Sequence, residues 1–259
     1  MITPSYLDRL FSLADRTAVV TGGSSGIGRG IAMALGQAGA AVVIVARDET
    51  NIRAVVAELT AAGCQAAGVS ADIGDRAAVG QAARAAGQPF GPPHILVNCA
   101  GLNLRPPLAE LTVDQWDRMM AVNLTAPFLL GQEFGPQMAA RGWGRIINVT
   151  SQQADRAFAN SGGYGATKGG VASLTRSQSE AWACSGVCCN AICPGFVITP
   201  LTAEASADPV RTAALAARTM IGRNGLPDDF AGAAVFLASS ASDYVTGQVI
   251  RVDGGFSAT

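Results

Sequence analysis

A chain of 259 residues with a formal net charge of −1, only 14% charged residues and no Lys/Arg run has no basic face to offer nucleic acid. Its longest apolar stretches, such as Ala40 to Ala46, fall far short of the roughly 20 residues that cross a bilayer, so no membrane partner is expected. Met1 to Leu13 carries Thr, Pro, Ser and Asp before any apolar run, unlike a signal peptide, and the expectation is a cytoplasmic protein whose six cysteines are reduced thiols. Four of these, Cys184, Cys188, Cys189 and Cys193, lie close in sequence. In a strand, however, Cys188 and Cys189 point to opposite faces, and the only histidine, His94, is remote, so no metal is expected. The lone His94 also argues against a Ser-His-Asp hydrolase. Nothing in the middle reads as a linker, and one domain is expected over 1–259.

Thr17 to Thr21 predicts a first strand, and Ile31, Leu35 and Ala38 set a helical pattern beyond it. Between them stands Gly22-Gly23-Ser24-Ser25-Gly26-Ile27-Gly28. Strand, glycine loop and helix form the context of a phosphate-cradling turn, in which glycines let the backbone approach a pyrophosphate and the helix N-terminus offers free N–H groups. Gly39 closes the helix, and Ala41 to Ala46 is a continuous apolar run suited to a parallel strand buried on both faces. A carboxylate at the end of that strand would bond the ribose 2′-OH of NAD(H), whereas a basic residue accommodates a 2′-phosphate. Arg47 follows Ala46, so NADP(H) is favoured; a later strand end would hand the ribose to Asp48 and leave Arg47 a solvated loop charge.

Thr50 to Ala62 reads as a helix, Gln65 to Val69 as a third strand with Ala71-Asp72-Ile73 as its exit loop, and Asp75 to Ala86 as a capped helix. After a turn-rich stretch, His94 to Asn98 makes a fourth strand, followed by Cys99-Ala100-Gly101. This alternation predicts a doubly wound parallel sheet, whose ligands bind at the carboxyl ends of the strands, where Gly22, Arg47, Asp72, Asn98 and Ser151 all fall. Thr112 or Asp114 can cap a long helix carrying Trp116, Met119, Met120 and Leu124, which Pro127 is expected to kink. Asn123 lies among apolar residues in that helix and is either a satisfied structural amide or part of a water relay. Arg145 to Thr150 gives a fifth strand and Val187 to Ile192 a sixth. The Ala-rich sequence near 199–222 reads as a substrate lid, Pro227 starts a helix to about Ala238, and Gln248 to Val252 is a seventh strand.

Ser151 to Gly170 is where chemistry is expected. Tyr164 and Lys168, four apart, share one face of a helix, so the ammonium is expected to pull the phenol toward a working pKa. Ser151, thirteen residues upstream at a strand end, can face the same helix and hold a carbonyl oxygen between two hydroxyls. Tyr-x-x-x-Lys also arises by chance at a solvated helix start, and the glycine loop is what lifts it.

Taken together, Thr21-Gly-Gly-Ser-Ser-Gly-Ile-Gly28, Asn98-Cys-Ala-Gly101, Asn123, Ser151, Tyr164-x-x-x-Lys168 and Pro194-Gly195 followed by Thr199 resemble the short-chain dehydrogenase/reductase family over roughly Leu13 to Gly255. The resemblance implies a single Rossmann domain with a seven-stranded parallel sheet, a nicotinamide cofactor and a homodimer or homotetramer. It implies that Tyr164 exchanges the proton, Ser151 orients the substrate oxygen, Lys168 holds the nicotinamide ribose and lowers the Tyr164 pKa, and Asn123 anchors a water. Gly22, Ser24, Ser25, Gly26, Ile27 and Gly28 would cradle the phosphates, Asp72 and Ile73 the adenine, Asn98, Ala100 and Gly101 the strand end, and Pro194, Gly195, Ile198 and Thr199 the carboxamide. Cys99 departs from the family, which usually repeats asparagine there.

For the substrate pocket, Asn103, Leu104, Arg105, Gln152, Gln153, Arg156, Phe158 and Phe196 are expected. Either arginine suits a carboxylate or phosphate, and the glutamines suit hydroxyls. Gly101 to Pro107 and Gln152-Gln153 are similar to gluconate 5-dehydrogenase-like members, which implies a polyol, sugar acid or other small polar ketone. Two further readings stay open: a 3-oxoacyl-carrier-protein reductase or reductase of a hydrophobic cyclic ketone, and a non-catalytic NADP-binding scaffold or sensor.

Overall fold

A computed structural model describes residues 5–258 of the chain; residues 1–4 and 259, which include the start of the Met1 to Leu13 stretch and both ends of the expected 1–259 domain, lie outside the described residues. The strands are β1 (Thr17–Thr21), β2 (Ala41–Ala46), β3 (Ala66–Ser70), β4 (Ile95–Asn98), β5 (Gly144–Val149), β6 (Val187–Pro194) and β7 (Val249–Val252). They form one seven-stranded sheet in the order β3-β2-β1-β4-β5-β6-β7, with every neighbouring pair parallel. The five inner strands are buried almost throughout and the edge strands β3 and β7 only partly, which is why the inner ones read as mainly apolar runs.

Helices cover both faces. On one side α2 (Gly26–Gln37), α3 (Glu49–Ala61) and α10 (Ala231–Ala238) pack Ile31, Leu35, Leu59 and Leu237 onto Val20, Ile44 and Ile147. On the other, α4 (Arg76–Ala86) and α6 (Ala126–Ala140) pack Val79, Leu130 and Phe134 onto Val19, Val43 and Ile146, with α7 (Gly162–Trp182) alongside β6. The remaining helices are α1 (Tyr6–Phe11), α5 (Val113–Met120), α8 (Ala203–Ser206) and α9 (Pro209–Ala217). Strand β1 runs to β2 on one side while β4 lies on its other side, so a crevice opens at the switch point between their carboxyl ends.

Two local expectations become specific. Thr112, not Asp114, caps α5, in a reciprocal capping box with Gln115. The irregularity expected at Pro127 takes the form of a π-turn: α5 passes into α6 through Ala121–Thr125, in which the Ala126 N–H reaches back to the Ala121 carbonyl. The turn accommodates a proline that has no N–H to donate. The i→i+4 donor for the Asn123 carbonyl is therefore missing.

Candidate active site

The crevice is a cavity of about 690 Å³ reaching from the glycine loop to Tyr164 and on toward Arg105. Gly22 has φ +68°, and a Cβ there would stand 2.7 Å from the Ala100 Cα; a Cβ on Gly28 would stand 2.3 Å from the Gly22 carbonyl oxygen. Both positions thus exclude any side chain, which keeps the first turn of α2 against the loop. Ser24, Ser25, Gly26 and Ile27 complete that wall, and Ser25 caps α2 without committing its hydroxyl to a backbone N–H. Across the crevice, Thr21 Oγ1 accepts from the Cys99 and Ala100 N–H groups, tying β1 to the start of the loop that carries Ala100 and Gly101.

Arg47 follows β2 directly and lines the cavity. Asp48 is the N-cap of α3, its Oδ1 accepting from the Thr50 and Asn51 N–H groups at 2.8 and 3.0 Å. Asp48 lines the cavity too, but its Oδ1 is committed to the helix, and Arg47 is the cation at the strand end. Asp72 and Ile73 line the same end. Asp72 Oδ2 accepts from Arg118 at 2.6 Å and Oδ1 from the Gly74 N–H. Burial raises its pKa, but the Arg118 hydrogen bond, the Gly74 N–H and the nearby Arg47 charge together carry it below the ordinary value. Arg118 lies forty-six residues away on α5, and no sequence signal announced it.

Ser151, Tyr164 and Lys168 meet in the middle of the cavity, all buried. Lys168 Nζ donates to the Val149 carbonyl at 2.8 Å and lies 5.6 Å from the Tyr164 ring centroid. One of its three N–H groups is spent on β5 and the others are left for ligand. The expected lowering of the Tyr164 pKa does not occur in the free cleft. Burial pushes the phenol up to about 12; Ser151 and, more weakly, Arg105 pull it down, while Cys99 and Cys193 push it further up. Burial likewise brings Lys168 down to about 8, against the opposing effect of the two thiols. Desolvation dominates for both groups because they sit beneath the surface, where a charge loses its hydration. Burial also holds the Cys99 thiol at about 12, so it stays protonated beside Lys168.

Asn123 is fully buried. Its Oδ1 accepts from the Leu102 N–H, and its Nδ2 donates to the Leu102 carbonyl and to Thr167 Oγ1. The side chain therefore fixes the Leu102 backbone, and only the Asn123 main-chain carbonyl remains for a water. Asn98, expected at the cofactor, lies under the floor instead: its Nδ2 donates to Asn148 Oδ1, and Asn148 in turn donates to Thr175 and Gln178. A strand-end residue whose side chain points into the α7 side of the sheet cannot line the crevice.

Toward the substrate end, Asn103, Arg105, Gln152, Gln153 and Phe196 line the cavity, with Pro194, Gly195 and Thr199 opposite. Asn103, with its amide oriented so that the oxygen faces the guanidinium, accepts from Arg105 Nε and Nη2 at 3.3 and 3.2 Å. Arg156, Phe158, Leu104 and Ile198 do not line it. Arg156 donates to the Ser257 carbonyl, and Phe158 stacks on Phe256 at 6.2 Å between centroids. The segment following β7 folds back over the 155–158 loop and takes both side chains. Ile198 is exposed, its N–H bonded to the Gly225 carbonyl, while Val197 beside it faces the cavity. Asn51, Leu102, Val122 and Val197 line the cavity without having been singled out, for apolar and amide side chains carry no signature of their own. Among the described residues no cluster of three metal-ligating side chains occurs, and no helix is long and apolar enough to cross a membrane.

A doubly wound sheet with a glycine cradle at its switch point, and a Ser-Tyr-Lys set at the end of β5, defines a nicotinamide-dependent oxidoreductase of C=O and CH–OH groups. A family model described as enoyl-(acyl carrier protein) reductase matches residues 22–257. The chain is 39% identical over 246 residues to the gluconate 5-dehydrogenase of Gluconobacter oxydans, covering 95% of this chain and 96% of that one. It is 42% identical to the cis-4-hydroxycyclohexanecarboxylate dehydrogenase of Sinomonas cyclohexanicum, over 95% and 98% of the two chains. A crystal structure of a gluconate 5-dehydrogenase from Burkholderia cenocepacia, in complex with NADP and tartrate, superposes with a TM-score of 0.93 at 37% identity, over 98% and 100% of the chains. The chain belongs to the short-chain dehydrogenase/reductase family.

Proposed function

We propose that the protein moves hydride between NADP(H) and a secondary alcohol or ketone of a small polyhydroxy carboxylic acid. The observation that carries this reading is one continuous cavity with the glycine cradle and Arg47 at one end, Ser151, Tyr164 and Lys168 in the middle, and Arg105 beyond them. The cofactor fits the residues present: Gly22 and Gly28 leave the space a pyrophosphate needs, the α2 N-terminus offers free N–H groups, and Arg47 is available to a 2′-phosphate. NADP(H), when bound, supplies or takes the hydride, and NAD(H) lacks only the group that Arg47 would meet.

The chain's own residues then do the rest. Ser151 donates a hydrogen bond to the substrate oxygen, and Tyr164, whose high pKa keeps its proton at neutral pH, gives that proton to the oxygen as negative charge develops on it. Lys168, fixed by the Val149 carbonyl, turns its remaining N–H groups to the nicotinamide ribose and to a water on the Asn123 carbonyl, from which Tyr164 is reprotonated. Asn123 keeps the Leu102 backbone in register with the loop that carries Arg105. Residues 199–222, built of short helices joined by turns, act as the lid.

Arg105 is the carboxylate receptor. It is half-buried, oriented by Asn103, and forms no ion pair within 4 Å among the described residues. The two relatives named above share a substrate geometry that suits it, because in gluconate oxidised at C5 and in cis-4-hydroxycyclohexanecarboxylate three carbons separate the carboxyl carbon from the carbinol carbon. Six unpaired cysteines suit a reducing cytoplasm, and the exposed Val113, Trp116 and Phe128 on α5 and α6 suit burial against a second copy in a homodimer or homotetramer.

The test is oxidation of reduced nicotinamide, followed by absorbance, with 5-keto-D-gluconate and with 3-oxoacyl thioesters. Turnover of the sugar acid that Tyr164→Phe cuts by about a thousandfold, with nucleotide affinity unchanged, is the expected outcome. Preference for the thioester would replace this substrate class, and nucleotide binding without turnover of any ketone would favour a sensor.

A further inference from the structure

The catalytic and structural amides of this site are almost all committed: Asn123, Asn148 and Asn190 each use both ends of the side chain. Asn98, beneath the floor, uses its NH2 but leaves Oδ1 unpaired, and Gln152 is the enclosed amide that uses neither end and lines the cavity. It follows Ser151 directly, lines the cavity, and is 4% exposed, yet neither end of its amide forms a hydrogen bond among the described residues; its Oε1 is buried without a partner. Gln153 beside it lines the same cavity, and its Oε1 is likewise buried and unpartnered. A buried polar atom left unpaired is costly, and one that lines an open cavity is placed for a ligand to complete it. Because no bond holds the amide, a half-turn about its last torsion presents either the oxygen or the NH2 to the cavity at little cost.

Resting on the reading of a carboxylate substrate held by Arg105, we propose that Gln152 is a specificity-determining residue that hydrogen-bonds a hydroxyl on the carbon beside the reacting carbonyl, so that the site selects polyhydroxy acids over ring ketones of the same carboxylate-to-carbonyl spacing. The position supports the choice of hydroxyl. Ser151 meets the carbonyl oxygen, and the next residue along the chain reaches the neighbouring substituent. A cyclohexanone ring places only CH2 groups there and leaves both glutamine oxygens unpaired. Sites built to pair a substrate hydroxyl discriminate strongly against analogues that lack it.

The experiment compares kcat/KM for 5-keto-D-gluconate and 4-oxocyclohexanecarboxylate, with NADPH, in the wild type and in Gln152→Met. The wild type is expected to favour the polyhydroxy ketone at least tenfold. Gln152→Met should lower its kcat/KM by about tenfold to a hundredfold while the ring ketone holds or improves and the KM for NADPH does not change. Parallel loss on both ketones would show a merely structural residue, and no change on either would show that Gln152 touches no hydroxyl; each result overturns the proposal. The wild type with the 4-deoxy and 6-deoxy analogues of 5-keto-D-gluconate, which remove in turn the two hydroxyls that flank the carbonyl, gives the same answer without a mutation: the loss on one of them should match that of Gln152→Met, and undiminished turnover of both refutes it. Failure of the wild type to reduce any of these ketones would instead overturn the carboxylate reading on which this one rests.

Discussion

Replacing Arg47 by alanine should convert an NADP(H) enzyme into one with little preference between the two nucleotides. The strand ends at Ala46, and the next carboxylate, Asp48, which lines the same cavity, has its Oδ1 bonded to two N–H groups of α3, so Arg47 is the cation placed to read the 2′ position. A hydrogen bond between charged groups is worth about 1.5–3 kcal/mol, or roughly tenfold to a hundredfold in affinity. Arg47 is exposed, and water screening puts the expected effect at the lower end of that range. The assay is kcat/KM for NADPH and NADH at saturating ketone, repeated at high salt, where the wild-type preference should shrink and that of Arg47→Ala should not. Asp48→Ala is the control: it removes the α3 cap, at about 1 kcal/mol of stability, without touching the NADPH:NADH ratio. Equal losses for both nucleotides in Arg47→Ala, or a changed ratio in Asp48→Ala, would refute the reasoning.

Gly28→Ala places a Cβ 2.3 Å from the Gly22 carbonyl, a backbone collision that the loop relieves only by moving; nucleotide affinity measured by fluorescence titration should fall by about a hundredfold or more. Arg105→Met should raise the KM for a keto acid by about tenfold to a hundredfold and leave that of an uncharged ketone within about threefold. Lys168 titrates in the free protein at about 8, below its ordinary 10.5, so between those values the unfolded chain holds a proton that the native state does not. The Lys168 share of the stability of the nucleotide-free protein should accordingly grow with pH across that window; the buried thiols, held protonated above their ordinary value, act in the opposite direction in both proteins, so the expected readout is that the melting temperature of the wild type gains on that of Lys168→Met. A steeper rise in the variant would contradict the burial of that ammonium.

Much of this protein lay open in local pattern. Mainly apolar runs gave the inner strands within a residue or two, since a parallel strand covered on both faces lacks the alternation of polar positions that a half-exposed strand shows, and the glycines at 22 and 28 announced a place where backbone must touch backbone. The i,i+4 spacing put Tyr164 and Lys168 on one helical face because the helix period is a local property of the chain. What spacing left open was the environment. Arg156 and Phe158 read as pocket residues until the chain end, a hundred positions later, closed over them, and Asn98 turned out to hold Asn148 rather than a ligand. The pKa of Tyr164 followed the same rule: sequence supplied the cation, but burial, a sum over every element packed around the phenol, overrode it. Periodicity and steric exclusion are written in neighbouring residues, whereas solvent exclusion and long-range pairing exist only once distant segments have met.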